Sequence, residues 1–187
     1  MLSVGILTCT LDENFRKMTQ KCIDSFKPQA DELIVVESAG DHTWDADVFV
    51  KYKKSCGYTK GVNTIFRVAK GDYVLFTSND TELLEGNLKD LCIPNTVTSP
   101  KIFPSHKSGL SGVSFCMPRN LIESFGLLDE HMIMQHSDND FARRLMKANI
   151  PIKVVDTVFF SHAVDQTVHL FMDMAKNDKK YYDGLDK

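Results

Sequence analysis

No stretch of this sequence is apolar over the roughly 18 residues that a membrane-spanning helix needs. The start, Met1-Leu2-Ser3-Val4-Gly5-Ile6-Leu7, has no basic flank and turns polar at Thr8, unlike a secretory leader. Basic blocks are missing too. Lys plus Arg number 22 against 25 Asp plus Glu, a net charge of −3, so neither nucleic acid nor an anionic membrane is an expected partner. No CxxC pair occurs among Cys9, Cys22, Cys56, Cys92 and Cys116. Their odd number and scatter argue against a disulfide framework or a zinc site and for buried free thiols. Cys9, just after the first apolar run, is the one position suited to a nucleophile, and no His stands near it in sequence. Repeats and low-complexity tracts are absent. These absences describe a soluble, cytoplasmic protein without a membrane span.

What is present suits one substantial core. Apolar residues make up 43% of the chain, which sets a single domain over 1–187 with a terminal appendage as the expectation. Val4 to Thr8 reads as a strand. Asn14 to Phe26 places Phe15, Met18, Cys22, Ile23 and Phe26 at helical spacing, with Asp12 or Asn14 as cap and Pro28 as stop. Leu33-Ile34-Val35-Val36 is a β-branched run fit for a parallel strand covered on both faces, and strand, helix, strand makes a right-handed βαβ unit. Val48 to Tyr52 is a short apolar piece. Gly57 to Asn63 opens a helix that ends near Gly71, and Tyr73 to Phe76 is the next strand. Loops and short strands are expected over 83–111, where Pro94, Pro100 and Pro104 interrupt the pattern. Val113 to Met117 (strand), Arg119 to Phe125 (helix) and Asp138 to Ala148 (helix) follow. Two late strands, Ile152 to Val155 and Val158 to Phe160, precede an amphipathic tail from Val168. The alternating α/β pattern up to residue 80 reads as a nucleotide-binding fold, and the chain divides as 1–82, 83–165 and a helical tail over 166–187.

Four spots carry polar groups that a core does not need. Asp80 follows an apolar strand and a run of small polar residues, where ligands gather in open α/β sheets; a hard carboxylate there can hold a divalent cation on phosphate oxygens. Asp80 or Thr81 could equally cap a following helix. Glu37-Ser38 offers a carboxylate and a hydroxyl to a ribose or base, or serves as a cap. In Gly57 to Asn63, glycines permit close backbone approach and Lys60 can meet a phosphate as a point charge. Asp138-Asn139-Asp140 puts two carboxylates at a helix start, where they cap the dipole or supply a general base. His162, after the last strand, is a possible imidazole ligand.

The order of these segments resembles family 2 glycosyltransferases of the GT-A fold across roughly residues 3 to 165. The matching pieces are Val4 to Thr10, Glu32 to Ser38, Gly57 to Asn63, Gly71 to Phe76 leading into Asn79-Asp80-Thr81-Glu82-Leu83, Gly112 to Met117, Gly126 to Glu130, Asp138 to Phe141 with Arg144, and His162. The resemblance implies a Rossmann-like, mixed but mainly parallel sheet flanked by helices. It implies transfer of a sugar from a nucleoside diphosphate sugar, UDP favoured, to a glycan, protein or small-molecule acceptor. Asp80 and His162 would hold Mn²⁺ or Mg²⁺; Thr8, Thr10, Glu37, Lys60, Asn79 and Asp80 would contact the donor. Asp138 would be the base of an inverting reaction, and Arg144 would support that segment or the pyrophosphate. Ser78, Ser38 and Ser137 stand where the family often carries acidic residues. A catalytically silent nucleotide-sugar or glycan-binding module is the main rival. A nucleotidyltransferase would need a glycine-rich, basic loop after strand one, and Thr8 to Asn14 contains no Gly, Lys or Arg.

Overall fold

A computed structural model describes residues 1–104, 109–163 and 172–185. Strand β1 (Leu2–Thr8) runs into helix α1 (Glu13–Phe26), capped by the Asp12 side chain, which accepts from the Asn14 and Phe15 amides. Strand β2 (Glu32–Ser38) is buried along its whole length, as a strand covered on both faces must be. The short apolar piece is edge strand β3 (Val48–Tyr52), and α2 (Gly57–Val68) leads to β4 (Tyr73–Ser78). Beyond come β5 (Thr81–Glu85), β6 (Val97–Phe103), β7 (Ser114–Pro118), α3 (Arg119–Phe125), α4 (Ser137–Lys147), β8 (Ile152–His162) and α5 (Met172–Tyr182).

The strands form one sheet in the order β3-β2-β1-β4-β7-β6-β8-β5. Pairings β1·β2, β1·β4, β2·β3 and β6·β8 are parallel, and β4·β7, β6·β7 and β5·β8 are antiparallel. This is the mixed, mainly parallel α/β sheet that the sequence pattern implies. Only Asn79 and Asp80 separate β4 from β5, yet β7, β6 and β8 lie between those strands in the sheet. The sheet therefore curls until its far edge returns beside β4, where the Thr77 and Thr81 hydroxyls meet at 2.7 Å.

Alternation along β2 divides the core. Leu33 and Val35 join Cys22, Ile23 and Phe26 of α1 on one face; Ile34 and Val36 join Val62, Ile65 and Phe66 of α2, with Phe115 and Phe141, on the other. Full burial of each such side chain contributes roughly 1.5–3 kcal/mol relative to exposure.

Several expectations are corrected. The segment after Asp80 is a strand rather than a helix, because Thr81 to Glu85 pairs with β8. The two late strands are one, with a register shift opposite Pro100 and Lys101 absorbing the interruption. Pro100 sits inside β6 at that irregularity, where a missing ladder N–H is tolerated. Residues 168–171 of the expected tail helix lie outside the described residues.

Candidate active site

Parallel strands β1 to β4 all end on one edge of the sheet, and β8, parallel to β6, ends there as well. Ligands of open α/β sheets collect at such an edge. The turn after β4 carries Asp80 to it, and the last residue of β8 is His162, opposite Thr81. The His162 Nε2 lies 3.2 Å from Asp80 Oδ2, with both side chains largely covered. The other carboxylate oxygen, Asp80 Oδ1, is buried and has no hydrogen-bond partner among the described residues. A buried oxygen without a partner carries a desolvation cost of roughly 1–3 kcal/mol unless something fills the site. A carboxylate beside an imidazole is a donor set that suits a divalent cation such as Mn²⁺. Among the described residues no group of three or more His, Cys, Asp or Glu side chains could hold a metal, so Asp80 and His162 are the pair that the described residues offer.

A buried polar network holds this turn in place. Asn79 donates through Nδ2 to the hydroxyls of Thr8 (3.1 Å) and Thr19 (2.8 Å), and its backbone N–H donates to Leu7 O. Thr8 also meets Thr10 and Thr19. The expected donor contacts from Thr8 and Asn79 are thus replaced by internal ones: their polar groups face each other and brace the turn that presents Asp80.

Glu37 is corrected in the same way. Its carboxylate is fully buried and accepts from Thr10 N (2.8 Å), Thr10 Oγ1 (2.7 Å), Gly40 N (3.1 Å) and Trp44 Nε1 (3.0 Å). A carboxylate has about four acceptor positions, so none remains for a ribose. Thr10 likewise spends both of its donors on Glu37. Glu37→Ala would leave these donors buried and unpaired, at roughly 1–3 kcal/mol for each that cannot reach water. We expect a lowered melting temperature by calorimetry with an unchanged Michaelis constant for the nucleotide ligand; a raised constant with normal stability would restore the binding role.

The glycine-flanked segment is the first half of α2. A Cβ on Gly61 would fall 2.4 Å from the Leu7 side chain, so this glycine serves close packing of α2 on β1 and does not cradle phosphate. Asn63 is buried too, bridging Leu128 and Glu130. Lys60 stays exposed at the same sheet edge, its ammonium 5.5 Å from the Tyr52 ring. Three strand spacings of about 4.8 Å separate β3 from β4, roughly 14 Å in all.

Asp138 reaches the edge from α4. A Cβ on Gly112 would lie 2.3 Å from Asp138 Oδ2, so the missing side chain is what admits this carboxylate. Gly112 stands two residues before β7, whose Ser114 pairs with Thr77, and the Ser78 amide donates to Val113 O at 3.0 Å. Asp138 is therefore seated beside the turn that bears Asp80. Tyr58 donates to Gly112 O at 2.6 Å. Burial, with the Asp138 carboxylate adding to it, holds the Tyr58 phenol well above its ordinary value. Asp138 itself is half-buried, and no donor among the described residues meets its carboxylate. Ser137 is buried against the Thr59 hydroxyl at 2.8 Å.

Arg144 belongs to the scaffold. It pairs with Asp140 (2.8 Å), donates to Leu127 O (2.7 Å) and lies over the Phe125 and Phe141 rings. The expectation of a catalytic Arg144 is replaced by its other alternative, support of the Asp138 segment. Residues that sequence reasoning passed over are Gly112, Tyr58 and Asp178; each acts on a partner more than 20 positions away, beyond any local motif.

Cys9 is not poised for attack. Burial first, then the Glu37 carboxylate and Cys56, push its thiol up to about 11, leaving roughly one thiolate in ten thousand at pH 7. Iodoacetamide at pH 7.5 should label Cys9 at least tenfold more slowly than an unperturbed thiol, as read by peptide mass spectrometry; labelling at the ordinary rate would contradict the assignment.

No family model and no curated protein sequence matches this chain. Solved structures do. TarS of S. aureus superposes with TM-score 0.65 and 16% identity over 92% of this chain and 38% of that one. The catalytic domain of Drosophila beta-1,4-galactosyltransferase 7, in complex with xylobiose, gives TM-score 0.62 and 15% identity over 90% of this chain and 73% of its own. A mannosyltransferase of Pyrobaculum calidifontis, in complex with GDP-Man and Mn²⁺, gives TM-score 0.61 and 17% identity over 88% and 57%. The chain has the GT-A glycosyltransferase fold. It spans well under half the length of the TarS chain.

Proposed function

We propose that this protein transfers a sugar from a nucleoside diphosphate sugar, UDP the favoured nucleotide, to an acceptor hydroxyl. The observation that carries the reading is the meeting, at one sheet edge, of an Asp80 oxygen beside His162 with the Asp138 carboxylate across Gly112, both without a hydrogen-bond donor among the described residues. Support comes from the company the fold keeps: the mannosyltransferase was solved with GDP-Man and Mn²⁺, and the Drosophila galactosyltransferase with manganese, UDP-Gal and xylobiose.

In this reading Asp80 and His162 hold a divalent cation, Mn²⁺ fitting the mixed oxygen and nitrogen donors. Bound there, the cation would offset negative charge on the departing diphosphate. Asp138 takes the proton of the acceptor hydroxyl as it attacks the anomeric carbon, which gives inversion. Lys60 supplies a positive charge farther along the edge, toward β3. Asn79, Thr8, Thr10 and Glu37 act behind the site by fixing the turn and the loop that follows β1.

A screen of UDP-, dTDP- and GDP-sugars for nucleotide release tests the reading. Release that requires Mn²⁺ or Mg²⁺ supports transfer; nucleotide binding with no release from any sugar would make the chain a silent binding module, the reading that Ser78 and Ser137 otherwise invite.

A further inference from the structure

Helix α5 looks in sequence like an appendage, yet it is tied to the segment that delivers Asp138. Asp178 is 2% exposed, and its carboxylate accepts three successive backbone N–H groups, from Ile133 (2.9 Å), Met134 (2.5 Å) and Gln135 (2.9 Å). Two aromatic stacks flank this contact. His131 lies on Tyr181 at 5.3 Å and 18°, and His136 lies on Tyr182 at 5.3 Å and 16°. The Tyr181 hydroxyl also donates to Asp129 at 3.2 Å.

The opposite side of the segment is held by α2. Thr59 N donates to Ile133 O at 3.1 Å and the Thr59 hydroxyl meets Ser137 at 2.8 Å. Between these two grips His136 adopts a left-handed backbone, φ 66°, a conformation that a non-glycine residue keeps only when its surroundings over-determine it. Irregular backbone must find partners for each buried amide. Here a single carboxylate from α5 supplies them for the three residues before His136, and Asp138 follows two residues later in the first turn of α4.

We infer that Asp178, with Tyr182, is a positioning residue that sets the Asp138 carboxylate, so that α5 is part of the catalytic apparatus. The inference rests on Asp138 being the base. Removing the Asp178 charge and one of its two acceptor oxygens leaves part of the 133–135 amides without a partner and lets the α4 start drift, while the cation and donor contacts at Asp80 and His162 are untouched.

The test compares Asp178→Asn, Asp138→Asn and the double variant in the full chain, using the nucleotide sugar selected by the release screen and UDP with Mn²⁺ for binding. Asp178→Asn should lower kcat by roughly 10- to 100-fold with KM and UDP affinity within about twofold of wild type. The double variant should be no slower than Asp138→Asn alone, because placement of a missing base has no effect. Normal kcat in Asp178→Asn with a dead Asp138→Asn overturns the inference and leaves the base; normal kcat in Asp138→Asn overturns both. Losses that multiply would assign Asp178 a separate role and also overturn it. Should Asp178→Asn not fold, Tyr182→Ala carries the test, with a kcat loss of roughly 3- to 10-fold supporting the inference and unchanged kcat overturning it. Amide exchange gives a reading free of turnover: Met134, Gln135 and Asp140, whose amides donate to Asp178 and to His136 O, should exchange at least tenfold faster in Asp178→Asn, and wild-type rates there would contradict the inference.

Discussion

Asp138→Asn should lower turnover by roughly 10²- to 10⁴-fold, the span that a positioned general base contributes, with donor affinity little changed. Its carboxylate is half-buried, unpartnered among the described residues and pressed against Gly112, so the amide fits the same space and the fold loses no internal bond. An effect confined to kcat is what loss of a transition-state interaction produces. Asp140 is the control. It is 2% exposed and holds Arg143 (2.7 Å) and Arg144 (2.8 Å), so Asp140→Asn should cost stability, on the order of 3 kcal/mol for a covered pair broken from one side, while a folded fraction keeps its turnover. A dead Asp140→Asn beside a near-normal Asp138→Asn would shift the base by two residues.

Asp80→Asn should abolish Mn²⁺-dependent UDP binding with the melting temperature unchanged. The side chain holds up no core: one oxygen faces His162 and the other meets no donor among the described residues. The turn beneath is kept by Asn79, Thr8 and Thr19. An amide has a single acceptor oxygen and no negative charge, so the Asp80–His162 pair would lose its stronger member. His162→Ala should weaken the same binding less, since Asp80 and the diphosphate still supply oxygens. Isothermal titration with UDP and Mn²⁺ reads both variants. Unchanged affinity in Asp80→Asn would remove it from the site.

Strand periodicity made the sheet edge legible, because the apolar run ending before Asn79-Asp80 could only deliver Asp80 to a strand's end. The helices of the first half followed from spacing and from caps such as Asp12. Roles were harder to read than places. Glu37 stands where a donor contact would be expected, but Gly40 and Trp44 fold back onto it, and nothing local in the sequence announces a carboxylate with all its acceptor positions filled. Arg144 likewise offers a guanidinium that sequence alone can send either to a phosphate or to Asp140. β8 defeated the pattern through Asp156 and Thr157, whose polarity suggested a break where the strand only shifts register. Asp178 gave no signal at all, since its three amide partners lie 43 to 45 residues away. Local chemistry predicts elements and their ends; which polar groups spend their bonds inside is decided by the fold.

In the proposed function a divalent cation and a nucleoside diphosphate meet at the sheet edge formed by Asp80, His162 and Gly112. Mn²⁺ is paramagnetic, so amide resonances of ¹⁵N-labelled protein report its distance directly. Titration with UDP and Mn²⁺, with Mg²⁺ as the diamagnetic reference, should broaden Asp80, Gly112 and Ala163 first, and Asp31 and Gly71 at the opposite edge last. Broadening centred on Asp31 and Gly71, or none at saturating UDP, would contradict the account.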